Sequence, residues 1–422
     1  MIPVMEAAKA ERDFVIKTRR MLHECAELSG REFETVRFIK KTLEEWSIPY
    51  TEIEDGGIVA FLTGKKEKGN RRVRTLVLRA DVDALPIVEN EYNLVRKRDC
   101  ISQNRGVMHA CGHDAHTAVL LSASRILFGM REAINGRILA VFERGEERLG
   151  LLANIIAWFE REGIRLDGAH AIHVRPDLPS GKIAVLQGPV FASPLVFDIT
   201  LKGTSGHGSR PDLANSPLDC FVHFYNALKS LRERYISPFE LLTTNIGVVN
   251  YGTLSNVISS ELRFNGSARL YHEETATKFA AELDNLLEHI TAAFHCAYQK
   301  NKFGAPLHPV INEKAMVRIG QKAVRRYLGG GFLVDTYEPM MCSDDFAFFG
   351  KVCPILMVHL GIGNPEKGTG GELHSDTFDV DEDALPLGVA ETAAFTLQFF
   401  EYAPETGVPE EPDEGNTEAR DG

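Results

Sequence analysis

The chain has 422 residues, more than one hydrophobic core usually supports, so two domains are expected. With 44% apolar and 25% charged residues the composition is that of an ordinary soluble globular protein. There are 47 Lys and Arg against 59 Asp and Glu, and the net charge of −12 argues against nucleic acid or an anionic membrane as the main partner.

MIPVMEAAKAERDFV at the start lacks an apolar run after a basic segment, and no stretch nears the ~18 apolar residues of a membrane span. Seven cysteines at irregular spacing make no disulfide framework. A cytoplasmic location is expected, and there a Cys beside histidines reads as chemistry.

In chain order, FVIKTRRMLHECAEL and REFETVRFIKKTLEEW carry apolar residues at helical spacing and predict two helices within residues 5–48. Strands follow at 75–83, 137–147, 168–174 and 353–361, separated by helical patterns at 114–131, 148–163, 314–328 and 384–401. Short apolar strands alternating with helices predict an α/β fold with a mostly parallel sheet flanked by helices. Ligands bind such sheets beyond the carboxyl ends of the strands, which is where the polar clusters of this sequence fall.

The middle third has another rhythm. Residues 195–206, 242–252 and 261–271 alternate, with helices at 216–234 and 273–298 among them. This βαββαβ outline predicts an inserted α+β domain with an antiparallel sheet and two helices. The expected division is therefore a domain of residues 1–190 and 304–402, an inserted domain of residues 191–303, and a tail. The tail, residues 403–422, has seven acids, one base and three prolines, too little apolar surface to offset ordering entropy, and is expected to be disordered.

Five clusters carry chemistry. In MHACGHDAHTA, Gly112 lets Cys111 and His113 point at one spot, a donor pair suited to zinc or a similar ion. The same residues also fit a buried thiol and a helix-capping Asp114, and His109 and His116 read as packing or supporting groups. Asp81 and Asp83 share one side of a strand end. Glu146 and Glu147 fit either a helix start favouring negative charge or a split of roles, one ligating and one acting as general base. His173 and His374 are unremarkable singly. Together, one Cys, three His and one Glu at strand ends and adjoining loops make a ligand count for two metals sharing a bridging group.

The ordered segments LRADVDALPI, GVMHACGHDAHTA, GEE, HVRPDLPSGKI, GTSGHGSRPD, SDDFAFF and ELHSDTFDVDEDALPLG resemble the amidohydrolase branch of the aminoacylase and carboxypeptidase-type co-catalytic metallopeptidases. That branch includes hippurate hydrolases, auxin-conjugate hydrolases and N-acetyl-diaminopimelate deacetylases. The resemblance runs from RRMLHECAELSGREFET to about residue 400. It implies two divalent ions, zinc or manganese, with cobalt or nickel as alternatives. Cys111 would bridge them, His113 and His173 would hold one, and Glu147 and His374 the other.

Glu146 would be the general base acting on water activated at the ions, and Asp83 would orient a ligand histidine. The inserted domain would be a lid and dimerisation domain. Its His207 would stabilise the oxyanion, often in a neighbouring subunit's site, and Asn256 and Arg269 would hold substrate. The implied reaction is hydrolysis of the amide bond of an N-acyl amino acid or similar small conjugate by a homodimer. A dipeptidase or carboxypeptidase with the same site, and a non-catalytic metal-binding regulatory or scaffold protein, are the alternatives.

Four departures stand out. ERGEE replaces the family's usual QPAEE, placing Glu143 and Arg144 near the base. SDDF replaces SEDF, shortening an expected pocket-wall carboxylate at Asp344. His359 stands where aromatic or aliphatic residues are common. The segment VENEYNLVRKRDCISQNRG is more charged than its counterparts.

Overall fold

A computed structural model describes residues 3–63, 73–148, 150–305 and 307–402; the expected disordered tail lies outside the described residues. An eight-stranded mixed sheet forms the larger layer. At its centre, Arg137–Glu143, Thr75–Asp81, Gly168–Pro179 and Ile355–Gly363 lie side by side in that order, all parallel. The hairpin Tyr50–Ile53 and Gly57–Thr63 adds antiparallel to Arg137–Glu143, and the two-residue strands Ile183–Ala184 and Leu333–Val334 close the far edge.

Thr75–Asp81 is buried at every position, because both faces of the sheet are covered. Its alternation sends Leu76, Leu78 and Ala80 into one apolar core and Val77 into the other. On the first face pack the helices His113–Gly129 and Leu385–Glu401, buried almost all round. The helix Leu152–Arg161 packs on the second through Leu152, Ile155, Trp158 and Phe159.

Between Ser193 and Gly304 the chain builds a second unit with its own core. Four antiparallel strands run in the order Leu242–Tyr251, Glu261–Leu270, Ser193–Lys202, Ala297–Gly304. Leu195, Phe197, Ile199 and Leu201, two residues apart and hence on one face, meet Phe224 and Leu228 of helix Pro217–Tyr235 and Phe279 and Leu283 of helix Glu273–Ala293. Ser216 caps the first of these helices by accepting from the Asp219 N–H, with Pro217 in its first turn. No helix among the described residues is long and apolar enough to cross a membrane.

Some elements differ from expectation. The N-terminal region makes three helices rather than two, Val4–Ala10, Arg12–Glu24 and Phe33–Glu45. The helix expected over 273–298 stops at Ala293, and His295 takes a left-handed turn (φ 52°) into the strand Ala297–Gly304. The one expected over 314–328 is α-helical only over Lys314–Ala323 and ends in a π turn, Val324–Leu328.

Candidate metal and catalytic centre

The polar cluster gathers at the carboxyl ends of the parallel strands. Past the end of Thr75–Asp81, Asp83 accepts from His113 Nδ1 at 2.9 Å and from the Glu147 N–H at 3.0 Å, so one carboxylate steadies two neighbouring segments. His113 begins the helix His113–Gly129 behind Gly112, whose φ of +88° lets Cys111 and His113 converge. A Cβ on Gly112 would lie 2.4 Å from Val174 Cγ2, so backbone angle and space both require glycine.

His173 donates from Nδ1 to its neighbour's carbonyl, Val174 O, at 2.7 Å, which leaves Nε2 facing Cys111 Sγ at 3.6 Å. His374 Nε2 lies 3.1 Å from Glu147 Oε1.

Among the described residues five groups of three side chains stand close enough to share an ion, three of them built on Asp81, His113 and His116, on His113, Glu146 and Glu147, and on Glu146, Asp344 and Asp345; the other two contain Cys111. Cys111, His113 and His173 place one donor atom each within 4.8 Å of one another, and so do Cys111, Glu147 and His374. Cys111 belongs to both. His113 Nε2 and Glu147 Oε1 are buried and make no hydrogen bond. Groups so placed carry a desolvation cost that a cation would remove. Thiolate, imidazole and carboxylate donors suit divalent ions of borderline softness, so the donor set fits a pair of such ions.

The electrostatics agree with that chemistry. Burial pushes the Cys111 thiol well above its ordinary range, so only positive charge against the sulfur would hold it as a thiolate. Burial also lowers His173 and keeps it neutral, with His116 acting in the same direction. For Glu146, burial pushes the carboxyl well above the usual carboxylate range, and Asp344, Glu147 and Asp83 push the same way. That is the environment of a carboxyl that takes up a proton more readily than a free one.

Residues 77–398 match peptidase family M20/M25/M40. This chain belongs to that family. As an M20 peptidase it is a hydrolase of amide bonds. It is 31% identical to thermostable carboxypeptidase 2 of Saccharolobus solfataricus over 394 residues, 93% of this chain and 96% of the relative. It is 30% identical to N-acetylcysteine deacetylase of Bacillus subtilis (strain 168) over 400 residues, 93% of this chain and 99% of the relative. A solved structure from Bacillus subtilis, described as a dinuclear metal binding peptidase from the M20 family, superposes with a TM-score of 0.78 at 27% identity, covering 93% of this chain and 99% of that one.

In this M20 peptidase a cavity of about 570 Å³ is lined by Cys111, Glu146, Glu147, His173 and His374, with Arg269 from the inserted unit. Phe191, Met340, Met341, Cys342 and Leu373 make its apolar wall. A larger cleft of about 740 Å³ runs beside helix Arg12–Glu24, but there Arg12 and Lys367 pair with Asp383, Arg20 with Glu382, and Lys367 also with Asp381. Those charges answer one another, whereas the smaller cavity is lined by Glu147, whose buried Oε1 makes no hydrogen bond.

Arg269 donates to Ser343 Oγ at 3.0 Å on the cavity edge. His207 and Asn256 do not line the cavity; they lie together on an exposed edge of the inserted unit, where the Gly208 N–H donates to Asn256 O. His116 uses Nδ1 on Asp81 (2.6 Å) and accepts at Nε2 from the Val174 N–H (2.9 Å), so both nitrogens support the site from behind. His109 is buried, and burial pushes it down to about 4.

Sequence reasoning missed Arg79. Its fully buried guanidinium donates to Glu143 Oε2 at 2.6 Å and to Asp81 Oδ2 at 2.7 Å, and pairs with Asp344 at 3.2 Å and Asp345 at 3.0 Å. A basic residue inside the apolar run TLVLRAD was the available signal.

This cation also corrects an expectation: Asp344 is no pocket wall but lies behind Glu146, drawn in by Arg79, and caps the following turn by accepting from the Phe346 N–H. Arg144 likewise turns away from the base, to Glu32 Oε2 and Gly30 O. His359 lies beside His173 on the adjacent strand, pushed down to about 3 by burial and by Arg175.

Proposed function

We propose that this M20 peptidase hydrolyses the amide bond of an N-acyl amino acid or similar small conjugate, in a manner dependent on two divalent ions. The observation that carries this is the pair of donor groups sharing the Cys111 sulfur. Cys111 would bridge the ions, with His113 and His173 holding one and Glu147 and His374 the other; zinc or manganese fits this donor set best. When bound, such ions polarise a carbonyl and lower the pKa of water.

The chain's own residues do the rest. Glu146, on the cavity wall, takes the proton of the attacking water and delivers it to the leaving nitrogen. Asp83 fixes the tautomer of His113 through Nδ1 and so aims Nε2 at the site. Arg269 meets the free carboxylate of the amino acid with its guanidinium fork. Phe191, Met340 and Leu373 exclude water around the apolar part of the substrate.

His207 and Asn256 are exposed and do not line the cavity of their own chain. The inserted unit, residues 191–303, therefore acts as a lid and dimerisation domain of a homodimer, offering His207 to the oxyanion in the partner's site.

Carboxypeptidase or dipeptidase activity is the second reading, favoured by the likeness to a thermostable carboxypeptidase. Metal analysis of the purified protein, with hydrolysis of N-acetyl- and N-benzoyl-amino acids and dipeptides, separates the two. Two ions per chain with turnover of the acyl-amino acids is the expected result, and turnover of dipeptides alone replaces it by the second reading. Glu146→Ala should abolish turnover and keep both ions. Turnover surviving in that variant would overturn the mechanism, and a chain that binds no metal after reconstitution would overturn the site.

A further inference from the structure

The charged segment VENEYNLVRKRDCISQNRG, unexplained by the reaction, lies against the loop that carries His374. Three backbone carbonyls converge on one buried guanidinium there. Arg98 donates from Nε to Asn90 O at 2.8 Å, from Nη1 to Phe378 O at 2.6 Å and from Nη2 to Asp376 O at 2.9 Å. Its side chain is 1% exposed, with Glu89 at 3.5 Å and Asp379 at 3.7 Å as counter-charges. The Asn90 N–H also donates to Asp376 O, and Asn93 Nδ2 donates to Lys367 O and Asp379 Oδ2. The strap thus grips the His374 loop from the side away from the cavity.

That loop needs an external hold. His374 sits at φ +63°, a left-handed conformation that costs a non-glycine residue free energy, and its side chain is half exposed. Its own tie to the site is the N–H donated to Ala110 O at 2.8 Å, next to Cys111. Phe378, whose carbonyl Arg98 holds, packs beside Gly112 between Cys111 and His113. The other donor group meets that loop only through the Phe378 ring and is otherwise fixed from elsewhere, since His113 opens a buried helix and His173 lies within a central strand.

We infer that Arg98 is a positioning residue for one half of the metal centre: it fixes the His374 loop through Asp376 O and Phe378 O, and thereby sets the affinity of the Glu147–His374 position without touching the ion. This rests on the two-ion reading of the site. A guanidinium fork spans three carbonyls at once, which an ammonium does not, so Arg98→Lys keeps the charge and loses the geometry.

The test is calorimetric titration of Zn²⁺ into the chelator-stripped full chain, for the wild type, Arg98→Lys, Arg98→Met and His374→Ala, with a thermal melt of each metal-free protein. Wild type should take up two ions. Both Arg98 variants should keep the first ion's affinity and bind the second about 10–100-fold more weakly, approaching His374→Ala. A role in the fold alone would lower the melting temperature and leave both affinities as they were. If Arg98→Met fails to fold, Arg98→Lys carries the comparison. Unchanged affinities for both ions, or equal loss of both, in a folded variant would overturn the assignment to Arg98. Fewer than two ions on the wild type would instead overturn the reading on which it rests.

Discussion

Arg79 donates to one oxygen of Glu143, while the other, Oε1, is buried without a partner in a position matched by the unpartnered Oδ2 of Asp345. Two carboxyls that meet this way form a bond only when one carries a proton. Burial, with Asp344 adding to it and Arg79 opposing, raises Glu143 from 4.5 to about 7. The groups that face it are Arg79 and Asp81 on the neighbouring strand and Asp344 and Asp345 on the opposite turn.

A carboxyl raised in the fold contributes stability that is complete below its unfolded pKa and is lost as pH rises through the folded one. The window of loss therefore begins above about 4.5 and continues through about 7, and Asp345, whose carboxyl burial and Glu143 also hold well above its ordinary range, shares the proton and adds a loss in the same direction. Glu143→Gln supplies a permanent hydrogen to Asp345 and still accepts from Arg79. Thermal melts of the metal-free chain across that window should therefore fall less steeply with pH in the variant than in wild type. Parallel slopes would show that no proton is shared. The sequence displayed every one of these side chains, but not that a single arginine would collect Asp81, Glu143, Asp344 and Asp345 from three segments.

At the scale of elements, the turn into helix His113–Gly129 is the least tolerant joint. Gly112→Ala would place a methyl group 2.4 Å from Val174 Cγ2 at a backbone angle suited to glycine. A loss of roughly 2–4 kcal/mol in denaturant unfolding is expected, together with weakened binding of both ions, because Cys111 and His113 diverge. A variant as stable as wild type with full metal content would contradict this account.

Apolar strands that end in Asp, Glu or His make a site at the sheet's carboxyl edge legible in the sequence, whereas Cys111 and His113, on a loop and a helix start, take on ligand roles there only through the family resemblance. Elements whose signals are local and weak were not legible. The hairpin Tyr50–Ile53 and Gly57–Thr63 turns on Asp55 at φ +52° and Gly57 at φ +126°, and the triplet DGG was its only marker. Helix Glu273–Ala293 is followed by a left-handed turn at His295 (φ +52°) with no glycine or proline to mark it, so the pattern gave no stop. The inserted unit's alternating strands were visible, whereas the exposed placement of His207 depends on how two short strands, Gly206–His207 and Val257–Ile258, pair.

For the whole molecule, the proposed homodimer, in which His207 would serve the partner's site, predicts complementation between two inactive proteins. His207→Ala keeps Glu146, and Glu146→Ala keeps His207. In a randomly mixed dimer population half the dimers are hybrids, each with one complete site, so about a quarter of wild-type activity should return on co-expression. Activity no higher than the sum of the two variants alone would place His207 in its own chain's reaction.

The order of the proposed ligands along the chain has a consequence for synthesis. Cys111, His113, Glu147 and His173 emerge from the ribosome early, but His374 follows roughly 200 residues later, after the whole inserted unit. At typical elongation rates that is a delay of about 10–40 s. Strand Ile355–Gly363, which must slot beside Gly168–Pro179, comes equally late. A nascent chain can thus assemble one donor group long before the other, and the proposed centre stays incomplete until the inserted unit and strand Ile355–Gly363 have both been made.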